Sequence, residues 1–516
     1  MRSASNFKLP NPTLHFWMEP GFGTKYGPIM RSVLLAMSAA LLWAGCNDPK
    51  SSSGDNASKA ATAMARWRFA GGQALRGHSN APALRNVLTL PSTAGVGSRL
   101  GTNLTRFLLD RIPGSPGRAA EGQLYPLVEA VLENESAGEV TDTEWVLALR
   151  GANLPVAALG QAAAVLPRPS GSAAPSTLTT NGWWVVASSP AALARSSAIP
   201  GFVPGGFGVG QFDLPRILGQ GHGDWPSVNV SLSVSNATVR TAATMDFAKA
   251  PLGELEAWKV PDEFVRDPLV RFSALRGAAP LLEKLDWPRF IVGGETPGQV
   301  VSWAQPEVPF RSWFGFPVKD IPSRIEKIHQ DLKPFFGTEE QPGPYRGHVA
   351  MNSNKTAVVV GGKQMACTPR VVAATQGADS FLVVGFFAGK TNSTKAPAEL
   401  LAQIQKPNLA FFEWEITSES WPNWNVLAQY NKILLGKAPN APMAKAHRWM
   451  TSLTNQLGNT ITQVERVTPT RYQLTRKSDI GLNGFELVAL TRWLDADFGV
   501  IPGRSTQLPP VPVRNP

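Results

Sequence analysis

Two acidic residues, Glu413 and Glu415, have the spacing best suited to catalysis. Alternate residues of a strand share one face, so both carboxylates point the same way. A carboxyl pair can hydrolyse a glycosidic bond, one group as acid and the other as base or nucleophile. Trp421 and Trp424 follow closely, and aromatic rings can stack on sugars. Glu413 and Glu415 are therefore the candidate catalytic residues, although the pattern favours a simpler interpretation, the polar face of a half-exposed strand.

Other catalytic and metal-binding signatures are weak. The six histidines are far apart in sequence, so no two have the spacing that puts metal ligands on one helix face. His222 and Asp224 form the tightest His/Asp pair, but their glycine-rich surroundings indicate a turn. Residues 77–81 approximate a nucleophile elbow without the apolar strand that should precede it. We therefore expect neither a metal nor a cofactor.

The chain has two cysteines, Cys46 and Cys367, and no Cys-x-x-Cys motif. This excludes zinc ribbons and thioredoxin-like redox sites. Cys367 lies between two apolar segments with no histidine nearby in sequence, which favours a half-buried structural thiol over a nucleophile.

Cys46 ends a segment with the features of a signal peptide. Arg31 supplies a positive charge, and residues 32–43 form an apolar segment too short to span a bilayer. Ala44 and Gly45 are the small residues that a signal peptidase requires. The segment resembles a bacterial lipobox, although Trp43 stands where leucine is usual. The resemblance implies cleavage before Cys46 and lipid attachment to it.

Two alternatives to this lipid anchor stay open. One is a short buried helix that ends in a free cysteine, and the other is secretion with cleavage nearby. Met30 is a candidate start, with residues 1–29 upstream of it, and the polar residues after Cys46 are typical of a flexible tether.

The chain is basic, with 49 Lys and Arg residues, 38 Asp and Glu residues and a net charge of +11. A basic surface can attract nucleic acid or anionic polymers. However, no run of five Lys or Arg residues and no nucleic-acid-binding motif occurs. We therefore interpret the charge as solubilising and expect no nucleic-acid partner.

Alternating apolar residues predict strands. Residues 228–234 alternate strictly, and residues 238–247 can return as an antiparallel partner. Residues 409–416 alternate as well, and residues 460–475 predict a further hairpin. Helical spacing recurs in residues 321–332, and Asn483 with Glu486 three residues later resembles a capping box that opens a helix. The sequence therefore predicts an α+β fold of mostly antiparallel sheets with helices packed on one face.

Two stretches, 183–247 and 380–475, share an order of apolar strand, helix and half-exposed strand. This order favours two related lobes. The predicted organisation is a signal peptide (30–45), a tether (46–65), a first lobe (66–250), a Pro- and Trp-rich connection (251–345), a second lobe (346–500) and a Pro-rich tail (501–516).

The general pattern resembles large uncharacterised exported proteins of the planctomycete and verrucomicrobial kind. The segments that carry this resemblance are 258–262, 267–271 and 486–494. The resemblance implies export and an α+β fold, and no particular activity.

Together, the sequence predicts an exported envelope protein, anchored to a membrane through Cys46 and facing the periplasm or the outer surface. Its predicted role is a non-enzymatic scaffold or binding module for a protein or glycan partner. The alternative is a periplasmic enzyme that acts on glycan or another polymer through Glu413 and Glu415.

Overall fold

A computed structural model of the chain describes residues 63–110, 117–166, 175–195, 205–218, 223–284, 293–306, 311–338, 341, 347–361, 369–386, 394–434 and 445–495. Cys46, Cys367, His15 and His222 lie outside these ranges, as do the predicted signal peptide and tail.

Eighteen strands of the described residues join in one sheet. Those from the first half of the chain are β1 (Ala65–Phe69), β2 (Glu135–Val140), β3 (Trp145–Arg150), β4 (Ser176–Thr180), β5 (Trp183–Ala187), β6 (Gly206–Asp213), β7 (Ser227–Ser235) and β8 (Thr238–Asp246). Those from the second half are β10 (Arg271–Arg276), β11 (Gln299–Gln305), β12 (Arg311–Pro317), β13 (His348–Met351), β14 (Ala357–Gly361), β15 (Arg370–Gln376), β16 (Asp379–Phe386), β18 (Leu409–Ile416), β19 (Asn459–Arg466) and β20 (Arg471–Ser478). A separate two-stranded ladder joins β9 (Arg266–Asp267) and β17 (Thr394–Lys395).

The α-helices of the described residues follow the same division. The first half contains α1 (Gly72–Arg76), α2 (Pro82–Thr89), α3 (Pro91–Leu109), α4 (Glu121–Glu133), α5 (Val156–Ala163), α6 (Pro190–Ala194) and α7 (Leu214–Leu218). The second half contains α8 (Ala279–Lys284), α9 (Ile321–Phe336), α10 (Ala398–Ala402), α11 (Thr417–Leu434), α12 (Lys445–Leu453) and α13 (Gly484–Asp495).

The strands lie in the order β13-β14-β15-β16-β12-β11-β10-β18-β19-β20-β8-β7-β6-β1-β2-β3-β5-β4, and every ladder is antiparallel. Tight hairpins such as β7–β8 and β19–β20 account for the direction, because a short turn can join only antiparallel neighbours. The predicted α+β fold with mostly antiparallel sheets is confirmed.

The sheet contains one arrangement twice. The first half has the order β4-β5-β3-β2-β1-β6-β7-β8, and the second half has the order β15-β16-β12-β11-β10-β18-β19-β20. The halves meet where β8 pairs with β20. The second half carries two additional strands, β13 and β14, beyond β15.

The register repeats together with the order. In each half, the residue before the central strand makes two main-chain hydrogen bonds, one to each neighbouring strand. These bonds are Met64 N–H to Val140 (2.7 Å) and Asp213 N–H to Met64 (2.8 Å) in the first half, and Val270 N–H to Ala304 (2.9 Å) and Ile416 N–H to Val270 (2.8 Å) in the second. Met64 therefore corresponds to Val270, and each position of one half can be matched to a position of the other.

The two stretches predicted to be related, 183–247 and 380–475, run over β5–β8 and over β16–β20, which are the matching elements of the two halves. The region 251–345, predicted to be a connection, supplies β10, β11 and β12 to the second half. The second half of the sheet thus begins well before residue 346. β10 pairs with β18 and β12 pairs with β16, and both partners lie far away in sequence. The Pro and Trp content of residues 251–345 does not reveal this non-local pairing.

The longer helices pack on one face of the sheet, as predicted. In α4, Leu124, Leu127, Val128 and Val131 lie on one side and are buried against Trp67 and neighbouring strands. In α9, the predicted stripe buries Ile325, Ile328 and Leu332 against β13–β16. Two five-residue helices, α6 and α10, pack on the opposite face.

The hydrophobic core around Trp67 depends on a glycine beneath the indole ring. A Cβ atom at Gly138 would lie 2.3 Å from the Trp67 indole and 2.9 Å from the Val146 carbonyl oxygen. We expect Gly138→Ala to lower the free energy of unfolding by about 1–3 kcal/mol, measured by urea denaturation, because overpacking a buried site forces its neighbours to shift. Gly160→Ala in α5, where nothing lies within 4 Å, is the control and should stabilise by about 0.4–1 kcal/mol. Equal effects of the two changes would contradict this account.

Candidate functional site

Glu413 and Glu415 lie side by side on the helix-covered face of β18. The two side chains share a face, as their spacing predicts. The prediction that this face of the strand is half exposed is wrong. Only 4% of Glu413 and 1% of Glu415 are accessible to solvent. Helices α11 and α13 lie over these residues, and alternation along a strand cannot show whether its polar face is covered.

The Glu413 carboxylate is held by an arginine and an asparagine. Arg271, diagonally placed on the neighbouring strand β10, donates from Nε (3.2 Å) and Nη2 (2.8 Å) to Oε1. The Asn483 amide donates to Oε2 at 3.1 Å. The Arg271 guanidinium in turn stacks on Trp424, 4.7 Å from the ring centre. Both carboxylate oxygens therefore have protein donors.

The Glu415 carboxyl is held by neutral donors. The Gly484 main-chain N–H donates to Oε1 at 2.6 Å, and the Thr417 hydroxyl donates to the same oxygen at 3.0 Å. Burial raises the pKa of Glu415 from 4.5 to about 7, and the neighbouring charge of Glu413 adds to this effect. The Arg271 charge and the two hydrogen bonds oppose it. The Glu415 carboxyl therefore titrates near neutral pH.

A third buried carboxylate, Glu486, completes the cluster. Arg476 Nη1 donates to both of its oxygens, at 3.0 and 2.8 Å, and Arg476 Nε donates to the Thr462 hydroxyl. Burial raises the pKa of Glu486. Glu486 also accepts from the Asn483 N–H (3.0 Å), and the Asn483 side chain accepts from the Glu486 N–H (2.9 Å). The capping box that these two residues predict at the start of α13 is confirmed.

We call these residues the buried acid cluster: Arg271, Glu413, Glu415, Arg476, Asn483 and Glu486. Three carboxyl groups face two guanidinium groups within it. It joins β10, β18 and β20 to the start of α13, and Thr417 connects it to α11. The arrangement fastens the helical layer to the sheet.

The matching positions in the first half of the sheet are apolar or glycine. Nine positions of the second half have polar side chains on this face: Arg271, Ser273, Ser302, Glu413, Glu415, Thr460, Thr462, Arg476 and Ser478. Their counterparts by register are Ala65, Trp67, Gly138, Gly210, Phe212, Val228, Val230, Ala243 and Met245. All seven that are not glycine belong to one buried apolar core. The fold therefore does not require charge at these positions, and the acid cluster is a property of the second half.

The two tryptophans near the pair do not form an open platform. Trp421 is buried in the helical core and makes an edge-to-face contact with the His447 ring. Trp424 lies between Arg271 and Phe485, whose ring centre is 5.3 Å away. The expectation that these rings stack on sugars is not supported by their packing.

The sequence does not identify four residues of the cluster as site residues. Arg271 and Arg476 lie far from Glu413 in sequence, and Asn483 and Glu486 indicate only a helix cap. One signal was present: β20 alternates Tyr472, Leu474 and then Arg476 on its inner face. An arginine that continues an apolar alternation indicates a buried partner charge.

A recess of the described residues lies elsewhere. It is shallow and occupies the opposite face of β6, β7, β8 and β20, where Gln211, Asn229, Ser231, Thr244 and Gln473 supply amides and hydroxyls. In the described ranges, no three His, Cys, Asp or Glu side chains are grouped to hold a metal ion. Within the same ranges, no helix is both long enough and apolar enough to cross a membrane.

The chain matches no protein-family model, no curated protein and no solved structure.

Proposed function

We propose that this chain is an exported, lipid-anchored protein of the cell envelope with a non-enzymatic scaffold or binding role. Export and lipid anchoring are supported by residues 30–46, where a short apolar segment precedes Ala44, Gly45 and Cys46. A lipid on Cys46 would tether the sheet to the membrane surface through the polar residues that follow.

The role is supported chiefly by the state of the carboxyl pair. A glycosidase needs both carboxyl groups beside a sugar ring, open to substrate and to water. Glu413 and Glu415 are instead covered by α11 and α13 and hold internal donors. Their chemistry is used to attach helices to the sheet. This observation favours a scaffold over the alternative of a glycan-degrading enzyme.

The open polar recess supports a binding role for the same scaffold. Its amides and hydroxyls, among them Gln211, Asn229 and Gln473, offer donors and acceptors without a dominant charge. Such groups suit a neutral polar partner, either a protein surface or a glycan.

Mass spectrometry of the mature N-terminus, in the wild-type protein and in Cys46→Ala, tests the proposed cleavage and lipid attachment. We expect the wild-type chain to begin at a lipid-modified Cys46 and to fractionate with membranes. Cys46→Ala should lose the modification and the membrane association, whereas the control Cys367→Ala should keep both. An unmodified N-terminus at another residue, or an uncleaved chain, would contradict the proposal.

A further inference from the structure

The two ends of the described sheet differ in how their outer strands are covered. At one end, the outer edge of β13 is occupied, since the Val349 N–H donates to the Gly337 carbonyl at 3.0 Å. At the other end lies β4, which pairs with β5 on its inner side. No described residue pairs with the outer side of β4.

The matching strand in the second half has this same edge covered. By order and register, β4 corresponds to β15, and β14 pairs with the outer edge of β15. The second half places β13 and β14 in the 33 residues between α9 and β15 (337–369). The first half has 12 residues between α5 and β4 (164–175), too few for a comparable hairpin. The fold therefore accepts an antiparallel strand at this position.

The turn after β4 determines which main-chain groups face outwards. Asn181 and Gly182 have positive φ angles of 49° and 77°, as in a two-residue type I′ hairpin. The flanking pair, Thr180 and Trp183, is then hydrogen-bonded, and hydrogen-bonded pairs alternate along the ladder. The N–H and C=O groups of Thr177 and Thr179 consequently point away from β5.

The edge of β4 lacks the features that usually prevent strands from adding. Thr177–Thr180 are exposed, and Leu178 is 45% accessible. The strand Ser-Thr-Leu-Thr-Thr contains no charge, no proline and no bulge. Natural edge strands commonly carry lysine, proline or a bulge to avoid edge-to-edge pairing. The composition of β4 favours pairing.

We propose that β4 pairs antiparallel with β4 of a second copy of this chain and forms a two-fold symmetric dimer. The strand is self-complementary about its centre: Leu178 would face Leu178, and Thr177 would face Thr179. No like charges oppose each other, and the outward groups of Thr177 and Thr179 would supply the hydrogen bonds. A two-fold contact uses one surface on both copies and closes at the dimer.

A disulfide tests this register directly. In an antiparallel pair, directly opposed residues that are not hydrogen-bonded have Cβ atoms about 4.5–5.5 Å apart, close to what a disulfide needs. The full chain carrying Cys46→Ser, Cys367→Ser and Leu178→Cys should form a covalent dimer under mild oxidation. The control replaces Leu178→Cys by Val156→Cys, at a residue of similar exposure (43%), and should stay monomeric. Equal cross-linking of both variants would overturn the proposal.

Sedimentation equilibrium of the full chain tests the contact without a cross-link. We expect a concentration-dependent monomer–dimer equilibrium for the wild type. Leu178→Lys places like charges opposite each other and should abolish the dimer. Its unfolding midpoint should match that of the wild type at low concentrations, where the wild type is monomeric, because the residue is exposed. Val156→Lys should dimerise like the wild type. A wild type that stays monomeric, an open-ended polymer, or a Leu178→Lys variant that still dimerises would each overturn the proposal.

Discussion

Replacing Arg476 with methionine is expected to lower the free energy of unfolding by about 3–5 kcal/mol. Arg476 is the ion-pair partner of Glu486, with two bonds of 3.0 and 2.8 Å, and both side chains are buried. Methionine fills part of the volume but leaves the carboxylate without its cation. The loss arises because an unpaired buried charge has neither water nor a counterion. Urea denaturation followed by tryptophan fluorescence measures it.

The same strand offers a matched control. Arg471, also on β20, pairs with Asp246 at 2.6 Å, but its side chain is exposed to solvent. Arg471→Met should leave the unfolding midpoint almost unchanged, since exposed ion pairs contribute little. The double change Arg476→Met with Glu486→Leu should recover stability, because it removes both charges together. If Arg476→Met behaved like Arg471→Met, the buried acid cluster would not hold α13 to the sheet.

Local patterns in the sequence predict much of the secondary structure. The alternation of residues 228–234 gives β7, the segment 238–247 gives β8, and the spacing of Ile325, Ile328 and Leu332 gives α9. The capping box at Asn483 is local as well, because its two partners lie three residues apart. Each of these features depends on contacts between near neighbours in the chain.

Burial and pairing across the sheet could not be predicted in the same way. Glu413 and Glu415 look like a solvated strand face because their burial depends on α13, about 70 residues later. Their partner Arg271 lies 142 residues earlier. A single sequence does not show which distant element covers a polar face, and so the candidate pair was identified but its environment was predicted wrongly.

The duplication explains why the two halves share a shape without sharing residues. Trp67 of the first half corresponds to Ser273 of the second, and Phe212 corresponds to Glu415. Backbone pairing and register are the same in both halves, whereas the side chains between the sheet and the helices are apolar in the first half and polar in the second. Gly138, paired with Trp67 across the sheet, makes room for its ring. A search for repeated residue identities would therefore miss a repeat that strand order and register make plain.

The pH dependence of stability is the second large effect, and Glu415 contributes to it through a raised pKa. Burial raises the pKa of this carboxyl to about 7 in the folded chain, against an ordinary 4.5. The folded chain therefore binds this proton more tightly than the unfolded chain does. By linkage, the contribution to stability is full below pH about 4.5, falls between pH 4.5 and 7, and is lost above pH 7. Across this pH range, the contribution of Glu415 to the free energy of unfolding changes by about 3 kcal/mol.

Glu415→Gln separates this effect from the titration of other groups. Glutamine keeps an acceptor for the Gly484 N–H and the Thr417 hydroxyl, and it carries no charge at any pH. We expect the variant to be more stable than the wild type at pH 8, by up to about 3 kcal/mol, and to lose the part of the decline between pH 4.5 and 7 that Glu415 causes. Urea denaturation at a series of pH values measures both.

The control is Glu465→Gln on the neighbouring strand β19, where the carboxylate meets Lys406 at the surface. This change should leave the pH profile of the wild type in place. If Glu415→Gln destabilised the protein at pH 8, the Glu415 carboxylate would be charged and held by a cation in the folded chain. If it instead removes most of the pH dependence, then the folded chain favours the neutral form of Glu415, whose Oε1 accepts the hydrogen bonds from Thr417 of α11 and Gly484 of α13.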